Sequence, residues 1–240
     1  MPCDPGKSLR AAVSLIAVTA GALQPPIRAA EPPLTVIHQA PRKPGPGKPP
    51  LLVLLHGFGA NEKDLLPMAA RLDPRLAIAS FRAPYQIREG AYSWVNGNSE
   101  DELERARRTV IECIDQVAAA TGADRSRVYL AGFSQGAMLT LAIALTEPQQ
   151  IAGAAVLSGR LAAAVRERHA PADQLRGVPI LVTHGTEDPQ IPIRSARDIR
   201  QTLKPLGVKL EYHEFDSGHY ISDFNVGVLD GWLRQQLKRD

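Results

Sequence analysis

The chain has 240 residues, 44% hydrophobic and 22% charged, a composition that suits one globular domain with a sizeable core. Its formal net charge is +3, and removing residues 1–30, as argued below, leaves 25 basic residues against 24 acidic ones. So small an excess, scattered and without interleaved aromatics, excludes a polyanion-binding surface, and no nucleic-acid partner is expected.

The N-terminus carries Lys7 and Arg10, then a charge-free and mostly apolar run from Ala11 to Leu23, followed by small residues. That order of basic, apolar and small matches a secretory signal peptide, with candidate cleavage after Ala20, Ala22 or Ala30. Residues 1–30 are therefore expected to be a signal peptide or extension, and residues 31–240 a single domain. Export to the periplasm or beyond is the expectation; a surface-packed extension on a cytoplasmic protein is the plainer alternative. The apolar run is too short to span a bilayer, and Cys3 precedes it, so no stable membrane insertion is expected. Of the two cysteines only Cys113 would then remain, on the apolar face of a predicted helix, which suits a core residue better than a reactive one. No zinc-type spacing of Cys and His occurs, and no metal is expected.

Leu34 to Gln39 reads as a first strand, and the Pro/Gly/Lys turn from Ala40 to Pro50 separates it from the unbroken apolar run Leu51 to Leu55. Such runs fit parallel strands covered on both faces. Leu76 to Ser80, Val128 to Ala131, Ala152 to Leu157 and Pro179 to Thr183 repeat the theme, and Lys209 to Phe215 closes it. Arg82 to Asn98 between them reads as a long irregular stretch. Helices fall between the strands. Ser99 and Glu102 fit a capping box, and Leu103, Ala106, Val110, Cys113, Ile114 and Val117 line one face up to Gly122. Met138 to Leu145 is apolar nearly all round; Ala196, Ile199 and Leu203 mark a further helix, and Val226, Leu229, Trp232, Leu233 and Leu237 the last. The alternation predicts an α/β fold, an open and mostly parallel sheet with helices on both faces, binding ligands at the carboxyl ends of its strands.

At one such end lies Gly132-Phe133-Ser134-Gln135-Gly136. A serine between two glycines at a strand-to-helix corner makes a turn so tight that only small residues fit two positions either side, and it pushes the hydroxyl out above the sheet. The helix N-terminus beneath offers unpaired N–H groups and partial positive charge to a developing oxyanion. A nucleophilic Ser134 needs a base and an acid that orients the base, expected past the ends of later strands in the order acid, then histidine. Asp188 follows Pro179 to Thr183, and His219 follows Lys209 to Phe215. Glu187 or Asp216 could serve as the acid instead. His38, His56 and His169 precede the acid and His213 lies within a strand, while His184 ends the acid's own strand and reads as structural. Oxyanion donors are expected at the amides of Gln135 and of Phe58, in the loop His56-Gly57-Phe58-Gly59 after Leu55.

These pieces together, Leu55-His56-Gly57-Phe58-Gly59, Gly132-Phe133-Ser134-Gln135-Gly136-Ala137, His184-Gly185 with Asp188 and Pro192, and Gly218-His219, resemble the carboxylesterase/phospholipase family of α/β-hydrolases, which includes acyl-protein thioesterases and small bacterial esterases. The resemblance spans about Leu34 to Leu237. It implies a compact hydrolase with little or no lid, a catalytic triad of Ser134, Asp188 and His219, oxyanion donors at Phe58 and Gln135, no cofactor, and a homodimer in many members. It also implies that the region of Ser93 and Trp94 lines the acyl site, although the aromatics there could equally cover the sheet edge. The charges from Gly159 to Gly177 read as solvated. The expected activity is serine carboxylesterase on small or lipid-like esters, with thioesterase or lysophospholipase action as the alternative and a non-catalytic ligand-binding relative as the remaining one.

Overall fold

The computed structural model describes residues 34–97 and 100–238. The signal segment, Cys3 and the capping residue Ser99 lie outside the described residues. The described residues form nine strands, with helices following β2 and β5 to β9: β1 (Val36–Gln39), β2 (Pro50–Leu55), β3 (Ala77–Phe81), β4 (Tyr85–Arg88), β5 (Ala91–Ser93), β6 (Asp124–Phe133), β7 (Gly153–Leu157), β8 (Pro179–Gly185) and β9 (Lys209–Phe215). Seven of them form one sheet in the order β1-β3-β2-β6-β7-β8-β9. β1 runs antiparallel to β3 at one edge, and every other neighbouring pair is parallel.

The unbroken apolar strand at the centre explains the two-sided cover. In β2, Leu51, Val53 and Leu55 join a core with Val110, Cys113 and Ile114 of helix α2 (Glu100–Thr121) and Leu139 of α3 (Gln135–Thr146), while α1 is the short helix Leu66–Ala69 on the other face. Leu52 and Leu54 point to that other face, onto Met68 and onto Leu229, Trp232 and Leu233 of the last helix, Asp223–Gln236. All five residues from Leu51 to Leu55 are fully buried, and each such side chain contributes about 1.5–3 kcal/mol relative to leaving it in water. The expected face of α2 is buried or packed inward as its spacing predicts, and Gly122 ends it with a φ of +70°, the left-handed stop that glycine provides without strain.

One stretch differs from expectation. Within Arg82 to Gly97, expected to be irregular throughout, β4 and β5 pair antiparallel as a small separate hairpin, Tyr85 opposite Ser93 and Gln86 opposite Tyr92, closed over Glu89 and Gly90. Its strands are four and three residues long, too short for a period of two to stand out in the sequence. Gly159 to Gly177 contains two short helices, α4 (Ala163–Arg168) and α5 (Ala172–Leu175), before α6 (Arg194–Leu203) and α7 (Asp223–Gln236) complete the set. Arg166 from this stretch is engaged by Asp198 and Thr202 of α6.

The last helix is capped in a way the sequence pattern did not single out. Ser222 accepts from the Asn225 amide at 3.4 Å, and Asn225 Oδ1 accepts from the Ser222 amide at 2.9 Å. Asn225 also donates to Thr183 of β8 at 2.9 Å in the buried interior, tying α7 to the strand that precedes Asp188.

Candidate active site

Ser134 sits between β6 and α3 with φ +54° and ψ −114°, a conformation that side-chain-bearing residues seldom adopt. The two glycines make it feasible. A Cβ at Gly132 would stand 2.2 Å from the Gly136 carbonyl oxygen, and one at Gly136 would stand 2.0 Å from the carbonyl oxygen of Leu55 in β2. The corner therefore closes against its own helix and against the neighbouring strand at distances that exclude any side chain. The Ser134 amide donates to the Leu157 carbonyl at 3.0 Å, which anchors the corner to β7.

Topology supplies the rest. β8 and β9 follow β7 in the sheet, so the loops at their carboxyl ends stand beside the corner. His219, after β9, places Nε2 at 2.8 Å from Ser134 Oγ, and its Nδ1 at 2.6 Å from Asp188 Oδ2. Asp188 is buried, whereas Glu187 and Asp216, the other candidate acids, are exposed. Asp188 Oδ1 accepts from the amides of Gln190 at 2.9 Å and Ile191 at 2.8 Å. Burial by itself would raise the Asp188 pKa. The Ile191 amide, the His219 ring and the Gln190 amide outweigh it and hold the carboxyl below its ordinary value. The Phe133 ring lies against the His219 imidazole, centroids 4.9 Å apart.

On the other side of Ser134 runs the loop after β2. Gly57 packs so closely that a Cβ there would meet Ser134 Cβ at 3.4 Å, and Phe58, the next residue, is 64% exposed. Gln135 is the first residue of α3, so its amide is one of those for which a helix has no internal acceptor. His56 is buried; its Nε2 accepts from the Ala83 amide at 3.0 Å while Nδ1 donates to the Gly57 carbonyl at 2.7 Å, which fixes a neutral ring. Burial lowers its pKa, against the pull of the Gly57 carbonyl and nearby carboxylates.

Trp94, for which the resemblance implies a place lining the acyl site and the plainer reading a cover for the sheet edge, is 1% exposed, its ring 5.3 Å from that of His56. Its indole N–H donates to the His56 carbonyl at 2.8 Å, and its backbone amide donates to Gln135 Oε1 at 2.9 Å. An indole buried in this way needs a partner for its N–H, and the turn before Phe58 provides one.

The model of the phospholipase/carboxylesterase family matches residues 39–235. The chain belongs to that family. Within it, a probable carboxylesterase of Arabidopsis thaliana, SOBER1-like, is 32% identical over 145 residues, covering 59% of this chain and 55% of that one. A rice protein described as a probable inactive carboxylesterase is 31% identical over 209 residues, 78% of this chain and 85% of its own length. Among solved structures, the Bacillus cereus carboxylesterase aligns with a TM-score of 0.74 at 22% identity over 85% of this chain and 94% of that chain, a likeness of fold.

Further contacts hold Asp188 and the corner in place. The amides of Gln190 and Ile191 form a turn on Asp188, for which Asp188-Pro189 was a usable signal. His184, read as structural, donates from Nε2 to the Ile191 carbonyl at 2.7 Å and stands 3.4 Å from Asp188 Oδ2. Burial lowers its pKa despite that carboxylate. The side chain of Gln135, as distinct from its amide, carried no signal in the sequence at all. Among the described residues no cluster of three or more His, Cys, Asp or Glu is arranged to hold a metal, and no helix is long and apolar enough to cross a membrane.

Proposed function

We propose that this chain hydrolyses carboxylic esters with Ser134 as nucleophile, His219 as general base and acid, and Asp188 as the group that orients and stabilises the imidazolium. The observation that carries the reading is the position of one imidazole, within hydrogen-bond reach of a strained serine hydroxyl on one nitrogen and of a buried carboxylate on the other. Ser134 Oγ attacks the acyl carbonyl as its proton passes to His219 Nε2. The oxyanion forms against the amides of Phe58 and Gln135, and collapse expels the alcohol, which takes the proton from His219. Water, deprotonated by His219, then attacks the acyl-serine and releases the acid, restoring Ser134. No cofactor enters any step.

The test is a series of p-nitrophenyl esters from acetate to palmitate, with Ser134→Ala beside the wild type. Turnover that disappears in Ser134→Ala supports the reading; turnover that survives it overturns it. The same chemistry cleaves thioesters and lysophospholipids, so an acyl-thioester and a lysophosphatidylcholine belong in the same panel, and the ratio of kcat/KM values assigns the leaving-group class. A relative described as inactive makes the ligand-binding alternative concrete, and failure of a fluorophosphonate to label Ser134 in folded protein would favour it.

A further inference from the structure

We infer that Trp94 is a strut that sets the gap between the two halves of the oxyanion site, acting on catalysis without touching the substrate. The inference rests on the catalytic reading of Ser134 above. An oxyanion hole made of two backbone amides on separate elements has a problem of spacing. The Phe58 amide belongs to the loop after β2, the Gln135 amide to the first turn of α3, and neither carries a side chain that could correct the other.

Trp94 bonds to both elements. Its indole N–H holds the His56 carbonyl, two residues ahead of the Phe58 amide, at 2.8 Å. Its backbone N–H holds the Gln135 side chain at 2.9 Å, and Gln135 Nε2 donates in turn to Ser93 Oγ at 3.1 Å. The strut is itself held. Ser93 donates to the Val95 carbonyl at 2.7 Å, and β5 is stitched to the oxyanion loop by Gly59 N to Tyr92 O and Tyr92 N to Ala60 O, each 2.9 Å. On the far side the His56 ring, fixed by Ala83 and Gly57, packs on the indole, so the carbonyl that Trp94 grips cannot turn away without breaking three contacts. Trp94 and His56 are each 1% exposed, so a bond lost here is not replaced by water. The hairpin that ends one residue before Trp94 thereby acquires a purpose: it holds the residue that bonds to both the loop and the corner.

Cutting either end should loosen the spacing while leaving both amides, Ser134, Asp188 and His219 in place. Trp94→Phe keeps an aromatic ring against His56 and removes the indole donor. Gln135→Leu keeps the Gln135 amide and removes the acceptor. Each is expected to lower kcat on p-nitrophenyl butyrate by about 10- to 100-fold, less than the 100- to 1,000-fold typical of deleting a donor outright. KM should stay within about threefold, because ground-state binding does not use the oxyanion geometry. The inhibition constant of an alkyl boronic acid, which forms a tetrahedral adduct on the serine, should rise by the factor that kcat/KM falls. The double variant should lose no more than the worse single one, since a strut cut at one end no longer bears on the other.

Unchanged kcat per titrated active site in either folded variant, with only a lower Tm, overturns the inference and leaves Trp94 a packing residue. Multiplicative losses in the double variant overturn it as well. If Trp94→Phe does not fold, Gln135→Leu gives the same reading through the other end. Wild-type protein that neither turns over esters nor reacts with a fluorophosphonate overturns the catalytic reading and the strut together; a reactive wild type with unimpaired variants overturns the strut alone.

Discussion

Asp188 gives His219 one oxygen and keeps the other for its own loop. Oδ2 accepts Nδ1–H of His219 at 2.6 Å, while Oδ1 is engaged by the amides of Gln190 and Ile191. The carboxylate therefore cannot rotate to offer its second oxygen, and the imidazole it holds has one orientation, with Nε2 toward Ser134. Asp188→Asn keeps the shape but replaces an acceptor with a group that can present N–H to the ring and invert its tautomer. The expected result is a loss in kcat of about 10³- to 10⁴-fold with little change in KM, read from steady-state kinetics on p-nitrophenyl butyrate.

The same carboxyl bears on acid stability. Its folded pKa lies below the ordinary carboxylate value, so the stabilisation it brings is complete above the unfolded value and is lost as pH falls through the folded one. A second group provides the cleaner test. Arg197 grips Glu214 through two bonds of 3.0 and 2.7 Å, and with help from Tyr212, against a partial burial that works the other way, holds its pKa down to about 2 from 4.5. Arg197→Met should be less stable than wild type at pH 6, with the deficit shrinking as pH falls from 4.5 toward 2. Urea unfolding across that range measures it, and a deficit independent of pH would contradict the assignment.

Gly136 leaves no room for a methyl group, since a Cβ there would stand 2.0 Å from the Leu55 carbonyl in the central strand. Gly136→Ala is expected to cost about 3 kcal/mol or more of stability, beyond the usual range for overpacking because the opposing atom is backbone and cannot swing aside. Denaturant unfolding of the variant against wild type checks it.

Cys113 is buried in the α2 face, and burial pushes its thiol pKa up. Iodoacetamide at neutral pH should leave Cys113 unmodified in the native protein and label it in 6 M urea, with the site read by peptide mass spectrometry. Labelling of Cys113 at comparable rates in both states would mean that α2 opens readily from the core.

Most of the sheet was legible in the sequence because its strands are buried on both faces. A run such as Leu51 to Leu55 has no polar position to confuse its meaning, and the glycine spacing around Ser134 states a steric requirement that few other corners share. The hairpin at Tyr85 to Ser93 was not legible. Its strands are four and three residues long and stand apart from the main sheet, so neither apolar runs nor alternation marks them.

The sequence by itself determined the parallel α/β order and the tight corner at Ser134, since each follows from local sterics or from burial pattern along the chain, and its motifs carried the resemblance to the family. Only the tertiary structure decided which acid faces His219, because Asp188, Glu187 and Asp216 differ in burial and direction and not in chemistry. It alone brings the Trp94 indole to the His56 carbonyl and the Trp94 amide to the Gln135 side chain. A side chain's partners across a sheet depend on how two distant elements cross, and no spacing along the chain records that.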